Sequence, residues 1–333
     1  MPANLVRLVA RYALLAVGVV LLNFLIPRLL PGDPLAYASG DGLEPAIPMS
    51  SAAKLQLRSY YHLDEPLPRQ LALYLDDLRH GELGWSIARP ASVNEVILTH
   101  LPWTLALLLT SLLISGIVGT AAGFVAGWLP GQARDRIIVS VMGMLVAIPE
   151  FLIAIGLLLV FAVGLGWFPL FAGQSIFASH SGETAGVVQR SVDVAWRLAL
   201  PALTLVLVGA AGFLLLARDV TAGLHREPWL TAARAKGLSE LEIARRHALP
   251  NIVPPLLTFF GLRLGSLLGG ALVVERVFGV PGLGLLSFEA TRARDYPLLQ
   301  ALFLLASLSV LAANLLVEVV FIHLASRRGS FRA

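Results

Sequence analysis

The chain has 333 residues, of which 57% are hydrophobic and 14% charged, with a mean hydropathy of +0.78. A soluble domain of this length has no use for so much apolar matter, so the composition selects a polytopic membrane protein. The absence of cysteine excludes disulfides and thiolate metal sites, and the net charge of +4 reads as loop arginines that orient spans rather than as a nucleic-acid surface.

About six runs reach the roughly 20 apolar residues that a helix needs to cross a hydrocarbon core. They lie near Tyr12 to Leu29, Leu101 to Trp128, Ile137 to Leu165, Leu198 to Ala217, Ile252 to Val274 and Leu298 to Ala325. Helices are the expected form, because a spanning backbone must satisfy its own hydrogen bonds. With the N-terminus inside, thirteen Lys and Arg fall in the inner segments and five in the two short outer loops. Both termini are therefore expected in the cytoplasm. Arg7, Arg11, the first apolar run and Ala36-Tyr37-Ala38 also suit a cleaved signal peptide, but the arginine distribution favours an uncleaved first span.

The expected division is a first transmembrane helix at 1–30, an extracytoplasmic loop subdomain at 31–100, a five-helix core at 101–325 and a cytoplasmic tail at 326–333. The outer loop opens on the turn signal Leu30-Pro31-Gly32-Asp33-Pro34. It then carries an amphipathic helix with Leu71, Tyr74, Leu75 and Leu78 on one face. Pro149 interrupts the third span, and Pro254-Pro255 opens the fifth. Gly261, Gly265 and Gly269 recur at every fourth residue of the fifth span, a pattern that admits another helix backbone.

Between the fourth and fifth spans lies the charged stretch 218–250. Ala233, Arg234 and Ala235 favour a helix, Lys236 follows, and Gly237 is a natural stop. Ser239 with Glu242 three residues on reads as a capping box that starts a second short helix. Leu241, Ala244 and Ala248 are expected on one face, and Leu249-Pro250 is expected to end the helix before the next span. Such a surface between spans suits a soluble partner or anionic membrane lipid.

Glu150 and Arg263 fall near the centres of the third and fifth spans, where a charge costs about 2.5–3.5 kcal/mol on insertion scales. With Pro149 they are candidates for a translocation path, or for a buried structural pair. Glu275 and Glu318 sit nearer span ends and are weaker candidates. The seven histidines offer no zinc spacing and no nucleophile–base pair, and no phosphate-binding loop is present. The chain therefore has no catalytic, metal or cofactor residues of its own in this reading, and a partner must hydrolyse any ATP it uses.

The hairpin from Ala233 to Pro250 resembles the coupling loop of permease subunits in ABC importers. Leu63 to Pro68, Gly81-Glu82-Leu83-Gly84, Leu165 to Pro169, Leu200 to Leu205, Val277 to Gly284 and Arg294 to Leu298 resemble the dipeptide, oligopeptide and nickel branch, in order along nearly the whole chain. Thr231 and His247 depart from the loop pattern, and Ser326-Arg327-Arg328 replaces the usual C-terminal motif. The resemblance implies an all-α type I importer permease of the bacterial cytoplasmic (inner) membrane. It implies a second homologous permease, two ATP-binding subunits that hold ATP and Mg, and an extracytoplasmic substrate-binding protein. The cargo it implies is peptides or related solutes, including glutathione or metal chelates. The competing reading is a self-sufficient secondary transporter or channel that uses Glu150 and Arg263.

Overall fold

A computed structural model describes residues 2–29, 64–173, 187–265 and 272–329, and these residues are helical apart from loops and one antiparallel bridge between Trp85 and Ser92. The turn Leu30 to Pro34, the triplet Ala36 to Ala38, Leu63, Gly269 and residues 330–333 lie outside the described residues. The helices, in order, are α1 (Pro2–Leu29), α2 (Leu67–His80), α3 (Val93–Trp128), α4 (Ala133–Ala147), α5 (Glu150–Leu157), α6 (Val187–Leu224), α7 (Pro228–Ala235), α8 (Glu240–Ile243), α9 (Leu249–Gly265), α10 (Leu272–Phe278), α11 (Leu283–Arg292) and α12 (Tyr296–Gly329).

Among the described residues, four helical stretches are long and apolar enough to cross a membrane: Val6–Ile26, Val93–Trp128, Ser191–Leu224 and Tyr296–Val320. α4 and α5, the latter continued by a π-helical turn at Leu158–Gly164, form a fifth that is bent by 96°. The sequence suggests a kinked single span here; the structure breaks it. Proline excludes the preceding residue from the helical region, and Ile148 is accordingly extended at φ −78°, ψ 126°. Pro149 then caps a new helix whose first residue is Glu150. The expected span from Ile252 to Val274 covers α9 and the start of α10, with residues 266–271 outside the described set.

The chain packs as two units. The first comprises Met1–Pro102 and Gly282–Leu311. Its interior is laced by polar side chains. The Arg28 guanidinium lies 3.7 Å over the Phe24 ring and donates to Gln70 Oε1 at 2.8 Å, tying α1 to α2. Tyr74 donates to Asn23 Oδ1 at 3.0 Å, and Asn23 donates to the Gln300 carbonyl at 3.0 Å, tying both to α12. Leu71, Tyr74, Leu75 and Leu78 are half-buried, and Gln70 is the buried residue of α2. Asp295 is fully buried at the start of α12. It caps that helix by accepting from Leu298 N–H at 3.3 Å, and its other oxygen accepts from Ser86 Oγ–H and from Ala88 N–H at 3.1 Å. Arg89 pairs with Glu289 at 2.6 Å beside it.

The second unit comprises Trp103–Pro281 and Ala312–Ala333. Its organising contact is a seam between α3 and α6 made of residues almost without side chains. Ser111 and Ser115 donate to the Ala202 and Val206 carbonyls at 3.5 and 3.3 Å. Further along, a Cβ on Gly119 would lie 2.4 Å from Ala210 O, one on Gly123 2.3 Å from Leu214 O, and one on Gly127 2.4 Å from Arg218 O. Three successive turns of α3 thus touch α6 backbone to backbone, which removes lipid from the contact and gains dispersion along its length. Gly261 instead makes room for the Val317 side chain of α12, which accounts for one member of the Gly261, Gly265, Gly269 repeat.

Glu275 corrects the sequence reading of a solvated end-of-span residue. It is completely buried, and Thr104 Oγ1 donates to it at 2.8 Å. The surrounding cluster of Leu107, Leu198, Val274, Phe278 and Val280 keeps water out.

Gly123→Ala places a methyl carbon inside the van der Waals radius of a carbonyl that cannot move without moving α6. Overpacking of this kind costs about 1–3 kcal/mol. The purified subunit carrying Gly123→Ala is expected to melt several degrees below wild type, whereas Gly18→Ala, with nothing within 4 Å of the added carbon, leaves the midpoint unchanged.

Candidate functional site

The charged stretch folds as a compact helical hairpin. α7 ends at Ala235, and Gly237 adopts φ +77°. Leu238 N–H bonds back to Ala233 O at 3.4 Å and Gly237 N–H to Arg234 O at 2.9 Å, the paired bonds of a Schellman termination. Ser239 caps α8 by accepting from Glu242 N–H at 3.3 Å, as its sequence position suggests. The inner face buries Leu230, Ala233 and Ile243 against Trp128, Trp229 and Leu238. Across the turn Arg234 grips both oxygens of Glu240, at 2.7 and 3.2 Å. Arg246 pairs with Glu242 at 2.8 Å.

Two expectations for the second helix are corrected. Leu241 does not share the face of Ala244 and Ala248: those two are buried, and Leu241 is 68% exposed. Ile243 occupies the inward position instead. Nor does Pro250 end the helix. Ala244–Ala248 forms a π-helical turn, closed by Leu249 N–H on Ala244 O, and α9 follows without a break. The wider turn spaces the backbone where Pro250 brings a ring and no N–H. α8, the π turn and α9 are thus continuous helix from the hairpin to Gly265.

Trp128 of α3 packs into the base of the hairpin, and an ion pair joins the neighbouring helices α4 and α6. Trp128, the last residue of α3, sets its ring in tilted contact with Phe124 and with His225, each at 5.5 Å between centroids. Asp135, in the first turn of α4, is buried and accepts from Gly131 N–H at 2.8 Å. Arg218 of α6 grips it with two bonds, at 2.8 and 2.6 Å. The two are 83 residues apart, and no local sequence pattern joins them.

The outer surface presents Leu241 with Arg245, Arg246 and His247, all exposed. It offers an apolar anchor ringed by positive charge, which is the composition of a docking surface, and no group placed for bond chemistry. Glu150 and Arg263 stand apart from this surface. Glu150 is half-buried, and among the described residues its Oε1 has no hydrogen-bond partner. The Arg263 guanidinium lies 5.3 Å over the Phe259 ring, on an exposed face of α9. Arg263 lies on α9, the helix that continues from the hairpin, and Glu150 starts α5 after the break at Pro149.

Residues 119–330, which hold the α6–α9 hairpin region and the last spans, match the family described as the inner membrane component of binding-protein-dependent transport systems. The chain belongs to that family. It is 34% identical over 305 residues to the glutathione transport system permease protein of Escherichia coli K12, covering 90% of each chain. It is 32% identical over 314 residues to a di/tripeptide transport system permease protein of Pseudomonas aeruginosa, covering 91% of this chain and 92% of that one. It is 30% identical over 322 residues to an oligopeptide transport system permease protein of Bacillus subtilis, covering 96% and 97%. The protein is a transmembrane permease subunit of an ATP-driven importer in the inner membrane.

Two tests probe the architecture of this site. Asp135→Ala strands a partly buried Arg218 and is expected to cost about 3 kcal/mol, the low end for a broken buried pair because Asp219 still meets the guanidinium. Denaturant unfolding in detergent reads this directly. The second test is pH. The Arg234 hydrogen bonds, followed by the Arg234 and His225 charges and the Trp128 bond, hold the Glu240 carboxyl below the usual carboxylate range. A depressed acid contributes order at neutral pH and loses it as pH falls through the folded value. Hydrogen exchange at Gly237 and Leu238, corrected for intrinsic rate, is expected to stay slow through the ordinary carboxylate range and to quicken only below it. Glu240→Gln removes that pH dependence.

Proposed function

We propose that this subunit is one of two homologous permeases in an importer of peptides or related small solutes. In this reading, separate ATPase subunits drive it through the 231–250 hairpin. The exposed Leu241 carries the proposal: a helix that buries Ile243 and Ala244 yet leaves a leucine outside presents it to a partner. The absence of a phosphate-binding loop supports a division of labour in which ATP and Mg reside on the partner. The hairpin and both termini face the cytoplasm, as the arginine distribution favours. Trp128 at the end of α3 packs into the hairpin, and Arg218 near the end of α6 holds Asp135 at the start of α4, which supports the same topology. The outer loop 31–100 and the 276–297 segment receive the loaded extracytoplasmic binding protein.

ATP binding closes the ATPase pair and displaces α8. Because α8, the π turn and α9 are one helical path of about 40 Å, the displacement reaches the membrane interior without crossing a loop. A nucleotide shifts this equilibrium only by its differential affinity for the two states, and the hairpin is where that difference is delivered. The cargo class rests on relatives whose names specify di/tripeptides, oligopeptides and glutathione.

Gly237 separates coupling from folding. Nothing lies within 4 Å of a Cβ added there, so a substitution acts through its φ of +77° alone. Gly237→Asn tolerates this conformation, whereas a β-branched residue is forced out of it at a cost of about 1–2 kcal/mol. In proteoliposomes holding the complete importer, Gly237→Asn is expected to retain uptake. Gly237→Val is expected to hydrolyse ATP with little uptake while still inserting and assembling. Full uptake by Gly237→Val would show that the hairpin does not couple.

A further inference from the structure

We infer that the turn between α11 and α12 is a cationic docking point for the extracytoplasmic binding protein, and that Arg292 and Arg294 meet an acidic patch on that partner. The inference rests on the importer reading above and deepens it by naming contact residues. The backbone comes first. α11 ends in a Schellman motif: Asp295 N–H bonds back to Ala290 O at 2.9 Å, and Arg294 N–H to Thr291 O at 3.2 Å. Glycine is the usual occupant of the left-handed position in such a motif, because a Cβ is strained there. The ends of α2 and α7 follow that rule, with Gly81 at φ +76° and Gly237 at φ +77°. α11 does not. Arg294 adopts φ +53°, and among the described residues it alone has a positive φ without being glycine. A turn that needed only closure would be served by glycine here too. Strain kept at an exposed position points to function, and what this side chain adds is charge.

The setting comes second. Arg292, Ala293 and Arg294 are all exposed, while Leu283, Leu286 and Ala290 bury the inner face of α11. The turn is held firmly. Asp295, the next residue, is fully buried, and its carboxylate accepts from Ser86 Oγ–H, from Ala88 N–H at 3.1 Å and from Leu298 N–H at 3.3 Å. The same bonds fasten the 85–90 loop beside the turn, where Trp85 is 47% exposed and Arg89 pairs with Glu289. Tryptophan and arginine are the residue types that dominate binding at protein interfaces, and a rigid surface has little ordering entropy to lose on docking.

The chemistry of the partner comes third. Across α11, the turn and the 85–90 loop, Arg89, Arg292 and Arg294 stand against one exposed carboxylate, Glu289. The outward surface is therefore positive and complements an acidic one. Orientation gives these arginines no reason to be outside, since Lys and Arg gather on the cytoplasmic side. Anionic lipid is the other acidic surface within reach. Mobile headgroups adapt to any arginine and need no strained turn, whereas a folded protein demands a fixed one.

The test uses the complete importer in phosphatidylcholine proteoliposomes, with the binding protein titrated from outside and stimulated ATP hydrolysis as the readout. Arg292→Gln and Arg294→Asn are each expected to raise the half-maximal binding-protein concentration about tenfold at low salt, with the maximal rate unchanged. Added salt is expected to bring the parent towards the variants. Asn suits the left-handed conformation, so Arg294→Asn is expected to melt no lower than the parent. An unchanged half-maximal concentration in both variants overturns the docking point, and so does a lowered melting midpoint in Arg294→Asn, which marks a structural arginine. An effect that appears only when phosphatidylglycerol is added to the vesicles assigns the arginines to lipid and overturns it as well. A parent complex that the binding protein does not stimulate overturns the importer reading instead.

Discussion

The seam between α3 and α6 is the contact on which the rest of the second unit depends. Gly119, Gly123 and Gly127 bring two membrane helices to backbone contact over three turns, and Ser111 and Ser115 extend the line with hydrogen bonds. In a bilayer there is little hydrophobic force between helices, so close packing of this kind must do the work. The seam fixes where both helices end. Trp128 at the end of one packs into the hairpin, and Arg218 near the end of the other holds Asp135 of α4. A looser seam would leave the hairpin attached to moving supports.

On that base the hairpin combines rigidity with exposure. Its turn is closed by the Schellman bonds at Gly237, its second helix is capped by Ser239, and the Arg234–Glu240 grip spans the turn. What remains exposed is a leucine and a basic rim. The π turn at Ala244–Ala248 joins this surface to α9, so the partner-facing element and the membrane helix carrying Arg263 are parts of one helical path. Force applied at Leu241 and charge displayed at Arg263 thus belong to the same element.

Local features were legible in the sequence. A left-handed glycine after an alanine-rich run, a Ser-x-x-Glu cap and a proline that ends a helix each act within a few residues, and Gly237, Ser239 and Pro149 all appear in those roles. What the sequence hid depends on partners far along the chain. The Asp135–Arg218 clamp is one case. The Gly119, Gly123, Gly127 line is another: its spacing is as regular as that of the Gly261 repeat, and only packing against α6 distinguishes them. Leu241 falls outside the buried face because that face is set by what the hairpin packs on, Trp128, Trp229 and Leu238 around Ile243, and a helical period does not say which side meets them. Glu275 shows the converse, a charge near a span end that the fold buries completely beside Thr104.

The most direct measurement is site-specific cross-linking from the hairpin. With no native cysteine, Leu241→Cys and Ala244→Cys each give a single thiol, one on the exposed face and one on the buried face. In the assembled importer, a short thiol-to-amine reagent is expected to join the Leu241→Cys subunit to the ATPase subunit, with a yield that changes when ATP binds, and to leave the Ala244→Cys subunit unlinked. No ATPase adduct from Leu241→Cys, or modification of that thiol by an impermeant reagent applied only from outside, would contradict the account.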